Sequence, residues 1–154
     1  MATQPRSMFD TLRAYTARVK STPDPVRVLV VDDDANIRAF VERALCIGGM
    51  TPVTAAGGHE ALIAAQTTPG GFDLVVTDVR MPHMSGPQFI DKLRRTEPYV
   101  KVLYLTGFND QLFKEKGALW EDEAFLDKPC TIRGLLEAIS LLLHGQLPPE
   151  VQSA

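Results

Sequence analysis

Cysteine is scarce in this 154-residue sequence: Cys46 and Cys130 stand far apart, with no CxxC and no metal-ligand spacing around them. That argues against a disulfide framework or a zinc ribbon. It points to a reducing, cytoplasmic setting in which both thiols are small buried or half-buried apolar side chains. Long apolar runs are missing too. No segment approaches the ~18–20 residues of a membrane span, and the start lacks the apolar stretch of a secretory leader. The formal net charge is −3 and the basic residues form no stripe, so the electrostatic footprint of a duplex-DNA surface is lacking and no direct DNA binding is expected. The phosphate-cradling loops GxGxxG and GxxxxGK[ST] do not occur, nor does any repeat or low-complexity tract.

What is present is an alternation. Apolar, β-branched runs at 26–31 (VRVLVV), 51–56, 72–77 (FDLVVT), 100–105 (VKVLYL) and 123–126 read as strands. Between and after them, 36–47, 59–66, 87–95, 110–116 and 131–143 read as helices. The first shows Ile37, Phe40, Val41, Ala44 and Leu45 on one face and stops at Gly48-Gly49. Five strand–helix pairs with near-continuous apolar strands predict an α/β fold, a parallel sheet covered on both faces. Residues 1–25 form an extension closed by Pro23-Asp24-Pro25, in which Met8, Leu12, Tyr15 and Val19 recur at helical spacing. That stripe predicts a short amphipathic helix, packed on its own domain or making a dimer or partner contact. Residues 145–154 read as a polar, Pro-containing tail.

In an open parallel sheet, ligands sit outside the carboxyl ends of the strands, so the residues just past each strand decide the chemistry. Strand one is followed by Asp32 and Asp33, strand three by Asp78, strand four by Thr106 and Gly107, and strand five by Lys128-Pro129. Like charges crowded at a strand mouth repel by about 1 kcal/mol per pair in water and more where water is scarce. The crowding makes sense if a hard cation neutralises it, and Mg²⁺ suits one or two carboxylates, waters and phosphate oxygens. An Asp can also attack phosphorus, with an ammonium and a hydroxyl stabilising the transferring oxygens. Gly107, lacking a Cβ, would let those oxygens approach the backbone. An EF-hand on Asp32-x-Asp34-x-Asn36 fails, because Ile37 and Arg43 stand where the loop needs Gly and Glu.

The runs VLVVDDDANIR, LVVTDVRMPHMSG, VLYLTG and FLDKP together resemble the receiver domain of bacterial two-component response regulators, over about residues 26–144. The resemblance implies a flavodoxin-like sheet of order 2-1-3-4-5, for which a receiver protein is one of the type cases. It implies that Asp78 accepts a phosphoryl group from a histidine kinase or histidine phosphotransfer protein. Asp33, Asp78 and the backbone carbonyl of Arg80 would ligate Mg²⁺, with Asp32 acting mainly through water. Thr106 and Lys128 would bind the phosphoryl oxygens, and Gly107 would meet them with its backbone. Asp34 then falls to the start of the first helix, favoured by its dipole.

By the same resemblance Phe125 holds the aromatic switch position, rotating inward when Thr106 is recruited and remodelling the face made by the fourth helix, fifth strand and fifth helix. Its bland alternative is a core Phe. Trp120 is expected in core or hinge packing, or on that same face as a contact residue. Arg80 and Phe108 stand where the family tunes phosphoryl lifetime, and Cys130 stands where a Phe is common. The implied protein is a stand-alone response regulator acting by protein–protein contact or phosphorelay, with at most Mg²⁺-dependent autophosphorylation and autodephosphorylation. The alternatives are a degenerate receiver serving as a phosphorylation-independent binding module, and a metal-dependent phosphatase, against which the absent DxDx and cap domain argue. His59, His83 and His144 are too scattered for a metal site.

Overall fold

The computed structural model describes residues 24–107 and 109–146. The extension's 8-12-15-19 stripe, Phe108 and the tail beyond Gln146 lie outside the described residues. Five parallel strands, β1 (Arg27–Val31), β2 (Thr51–Ala55), β3 (Leu74–Thr77), β4 (Lys101–Thr106) and β5 (Glu123–Asp127), form one sheet in the order β2-β1-β3-β4-β5. The helices are α1 (Ala35–Ile47), α2 (Gly58–Thr67), α3 (Gly86–Leu93), α4 (Asn109–Lys116) and α5 (Ile132–His144). The alternation predicts the parallel α/β sheet and the receiver resemblance implies its flavodoxin-like order, and both are observed.

Side chains alternate across a strand, and that splits the core in two. Val28, Val30, Leu74, Val76, Leu103 and Leu105 face α1 and α5, meeting Val41, Ala44, Leu45, Leu135 and Ile139. Leu29, Val31, Val75, Val102 and Tyr104 face the other way, onto Ala61 of α2, Phe89, Ile90 and Leu93 of α3, and Leu112 of α4. β1, β3 and β4 are buried on both faces, and each fully buried Leu or Val there contributes roughly 1.5–3 kcal/mol. At the edge, β2 tolerates Pro52, whose missing N–H would break an interior ladder.

The helix starts follow from local chemistry. The Asp34 carboxylate accepts the N–H groups of Asn36 (2.8 Å) and Ile37 (3.4 Å), capping α1. Ser85 and Gln88 form a reciprocal capping box on α3, with Pro87 in its first turn, and Thr131 caps α5. After α1, Gly49 turns the chain at φ 76°, a conformation that suits glycine.

Two expectations need correction. Cys46 is exposed, because the buried stripe of α1 runs through Val41, Ala44 and Leu45 and the next residue turns about 100° away from it. β3 begins at Leu74 rather than Phe72, since the Asp73 carboxylate accepts the Arg27 N–H (2.9 Å) and its own N–H is given to the Arg27 carbonyl (3.0 Å).

The turn leaving β3 depends on one small residue. The Gly86 N–H donates to the Val79 carbonyl at 2.8 Å. A Cβ at Gly86 would lie 2.2 Å from the Asp78 carbonyl oxygen, a backbone atom that cannot swing aside. Gly86→Ala is therefore expected to lose about 2–3 kcal/mol, read as a lower urea midpoint with an unchanged m-value.

Candidate functional site

Parallel register brings the strand ends together. Val31 pairs with Thr77 across β1 and β3, and Thr106 with Asp127 across β4 and β5. The next residues, Asp32 and Asp78, therefore leave the sheet side by side, held by Asp32 N–H to Ala55 O (3.2 Å) and Asp78 N–H to Val31 O (2.9 Å). Carboxylate oxygens of Asp32, Asp33 and Asp78 all lie within 4.8 Å of one another. Asp32 and Asp78 are buried and Asp33 faces solvent. The Lys128 ammonium enters from the end of β5, 2.8 Å from Asp32 Oδ2 and 3.2 Å from Asp78 Oδ2.

The remaining carboxylate oxygens are aimed by backbone. Asp32 Oδ1 accepts the Asp34 N–H and Asp78 Oδ1 accepts the Val79 N–H, both at 2.8 Å. Burial raises the Asp78 carboxyl above its ordinary value; the Lys128 charge pulls it back, but Asp32 beside it pushes the same way as burial, and the net direction is up. Burial works against the Lys128 ammonium, yet its hydrogen bond to Asp32 and the charges of both acids hold it above its usual range. Three carboxylates gather where one ammonium pairs with two of them, so a further cation fits the electrostatics of the cluster.

Thr106 is fully buried at the end of β4, and its carbonyl accepts the Lys128 N–H at 3.0 Å. A Cβ on Gly107 would meet nothing within 4 Å among the described residues, so none of them demands glycine there. Arg80 is exposed two residues past Asp78. Phe125 is not a core residue: it is 36% exposed, edge-on to Phe113 at 5.5 Å between centroids. Trp120 is 58% exposed and lies under two cations, Arg94 (4.6 Å) and Lys116 (5.1 Å). The Cys130 thiol is half-buried and pushed up by that burial, away from thiolate reactivity.

Sequence reasoning gave no role to several supporting groups. Arg38 donates to the Asp32 carbonyl at 2.7 Å, and the Thr77 hydroxyl to the Asp78 carbonyl at 2.9 Å. Buried Glu123 ties together Arg94, Lys116, the Tyr104 hydroxyl and the Trp120 N–H. Only the Ser85-x-x-Gln88 capping box carries a readable local signal.

A family model for the response regulator receiver domain matches residues 28–140. The chain belongs to that family. Among curated relatives, the receiver is 34% identical over 119 residues to the sensor kinase CckA of Brucella abortus, spanning 77% of this chain and 13% of the kinase. It is 35% identical over 127 residues to the response regulator MprA of Mycobacterium sp. (strain KMS), spanning 82% of this chain and 54% of MprA. The chain thus spans about half or less of these curated relatives. In structure it resembles the Vibrio cholerae chemotaxis protein CheY4 with a TM-score of 0.66 and 34% identity, over 77% of this chain and 99% of that one. This is a phosphoacceptor domain of two-component signalling, of a family that binds Mg²⁺ at an acidic pocket and interacts with histidine kinases or phosphotransfer proteins. Among the described residues no helix is long and apolar enough to cross a membrane.

The buried acid has a consequence for stability. Because the Asp78 carboxyl is raised in the folded receiver, the folded chain holds that proton more tightly than the unfolded chain. The associated stability is full below pH 3.8 and is lost as pH rises through the folded value. In chelator, Asp78→Asn is expected to stabilise by about 1 kcal/mol at pH 7, with the gain vanishing toward pH 4. Thermal melts of both proteins across that range check it, and saturating Mg²⁺ should erode the gain by stabilising the parent.

Proposed function

We propose that this receiver takes a phosphoryl group onto Asp78 from the phosphohistidine of a histidine kinase or phosphotransfer protein. The observation that carries the reading is the cluster itself: three carboxylates within 4.8 Å, with Lys128 bridging Asp32 and Asp78. An Asp78 carboxylate oxygen attacks phosphorus, the P–N bond breaks, and the imidazole nitrogen leaves with the electron pair. The product is an acyl phosphate. Asp33, Asp78 and the Arg80 carbonyl would hold Mg²⁺, with Asp32 acting mainly through water. The ion supplies neutralising charge at the phosphoryl oxygens.

The chain's own residues divide the remaining work. Lys128, already beside Asp78, moves its ammonium onto the phosphoryl oxygens, while Thr106 donates its hydroxyl and Gly107 its N–H. Asp32 stays at the cluster as the second partner of Lys128. Recruiting Thr106 toward the site opens space on its face of the sheet. Phe125, two residues from Thr106's pairing partner Asp127, turns into it from its half-exposed position against Phe113. With no hydroxyl, Phe125 signals by packing alone, reshaping the face of α4, β5 and α5 for a downstream protein. Arg80 and Phe108 would set phosphoryl lifetime by hindering attacking water, against a weak autophosphorylation and autodephosphorylation activity.

We read it as a cytoplasmic regulator that acts by protein contact or relay and makes no direct DNA contact. In it the domain spans 26–144, and the 1–25 extension contributes to a homodimer or partner contact.

Acetyl phosphate with Mg²⁺ should add one phosphoryl group to the protein, mapped to Asp78 by mass spectrometry. Asp78→Asn should take none, and Asp33→Ala should need roughly tenfold or more Mg²⁺ for the same labelling. Undiminished labelling of Asp78→Asn would refute the assignment.

A further inference from the structure

α4 is only eight residues long, and its last turn is fastened on two sides. On one side, Lys116 reaches the fully buried Glu123 carboxylate at 2.9 Å, where Arg94 (3.5 Å), the Tyr104 hydroxyl (3.2 Å) and the Trp120 N–H (3.0 Å) also converge. This fixes the helix to β5. On the other side, Glu115 Oε2 accepts the Ser85 hydroxyl proton at 2.7 Å, while Gln111 steadies Glu115 Oε1 at 3.2 Å.

The second fastening leads somewhere. Ser85 is the cap of α3, accepting the Gln88 N–H with the same oxygen that donates to Glu115. Its neighbour Gly86 donates to the Val79 carbonyl and is packed against the Asp78 carbonyl. The Val79 N–H in turn holds Asp78 Oδ1. Only a few groups therefore separate Glu115 from the Asp78 carboxylate. Leu112 and Lys116 already bind α4 to the body of the fold, so the exposed Glu115–Ser85 bond is not required to keep the helix in place.

We propose that Glu115 is a positioning residue: through the Ser85 hydroxyl it ties the last turn of α4 to the loop carrying Asp78 and so favours the unphosphorylated arrangement of both. The inference rests on the phosphoacceptor reading for its consequence, but the tether is a physical link independent of it. If α4 must shift when Thr106 is recruited, this bond must break or be carried along. Removing it raises the population already disposed to react.

The test compares the parent chain with Glu115→Ala and Glu115→Gln, the latter keeping an oxygen that can accept from Ser85. In the unphosphorylated proteins, hydrogen exchange of 79–85 and of α4 should rise roughly tenfold in Glu115→Ala, with β1 and β3 unchanged, and stay near parental in Glu115→Gln. With acetyl phosphate and Mg²⁺, Glu115→Ala should label about threefold faster than the parent, and Glu115→Gln at the parental rate. Unchanged exchange in Glu115→Ala, exchange that rises throughout the sheet, or a Gln variant as fast as the Ala variant overturns the tether. A local rise in exchange with no change in labelling rate overturns its regulatory role. A parent that takes no label, with the local exchange difference intact, leaves the tether standing and sinks the phosphoacceptor reading alone.

Discussion

The salt-bridged Lys128 ammonium, shared by Asp32 and Asp78, is the interaction on which the rest depends. Two carboxylates this close in a partly dry setting repel by several kcal/mol at an effective dielectric near 20, and the ammonium between them offsets that repulsion. The parallel topology creates the problem and also solves it. Because every strand of such a sheet ends at the same edge, residues separated by up to 96 positions in the chain arrive together, and the fifth strand delivers a positive charge to acids delivered by the first and third. Burial then raises the Asp78 carboxyl while Asp33 stays in water. The site is stable enough to persist and unsatisfied enough to bind.

From that edge two routes lead toward α4. One runs along the sheet: the Thr106 carbonyl holds the Lys128 N–H, Thr106 pairs with Asp127, and Phe125 lies two residues back on the same face as Tyr104. The other runs through the loop after β3, whose geometry is set by Gly86 against Asp78 and whose far end is the α3 cap. Both begin in backbone hydrogen bonds and reach α4 through side chains, Phe125 against Phe113 on the first route and the Ser85 hydroxyl on Glu115 on the second. α4 is the natural receiver of a displacement at Asp78. It buries a single large apolar anchor among its described residues, Leu112, and leaves Phe113 at the surface.

Most of this architecture was legible because its signals are local or periodic. The β-branched runs, the 3.6-residue stripe of α1 and the punctuation at Gly48-Gly49 predict the elements to within two residues, and the topology rule places the acids and Lys128 at one edge. What stayed hidden required knowing distances between elements. Nothing near Glu123 in the sequence announces that Arg94, Lys116 and Tyr104 will surround it, and its place at the head of an amphipathic strand gives an acid no reason to be buried. Cys46 misled for the opposite reason: residue type suggested burial, but helix phase decided. Residue type alone leaves Phe125 between switch and core, whereas its place on the edge strand β5, with a neighbour on one side only, leaves it exposed.

The two buried acid clusters of the fold obey opposite accounting. At Glu123 one carboxylate meets Arg94 and Lys116, with a tyrosine hydroxyl and a backbone N–H taking up its remaining lone pairs, so the group is saturated. Such a cluster has no affinity left for anything else, and breaking it would strand a buried charge. At the opposite edge three carboxylates gather, one ammonium pairs with two of them, and the nearby Arg38 directs its described hydrogen bond at a backbone carbonyl instead. The deficit of positive charge there is what a divalent ion and an electrophilic phosphorus would answer. Strand β5 carries both, Glu123 at its head and Lys128 just beyond its end, so the saturated cluster holds in register the strand that supplies the unsaturated one with its only ion-paired cation among the described residues.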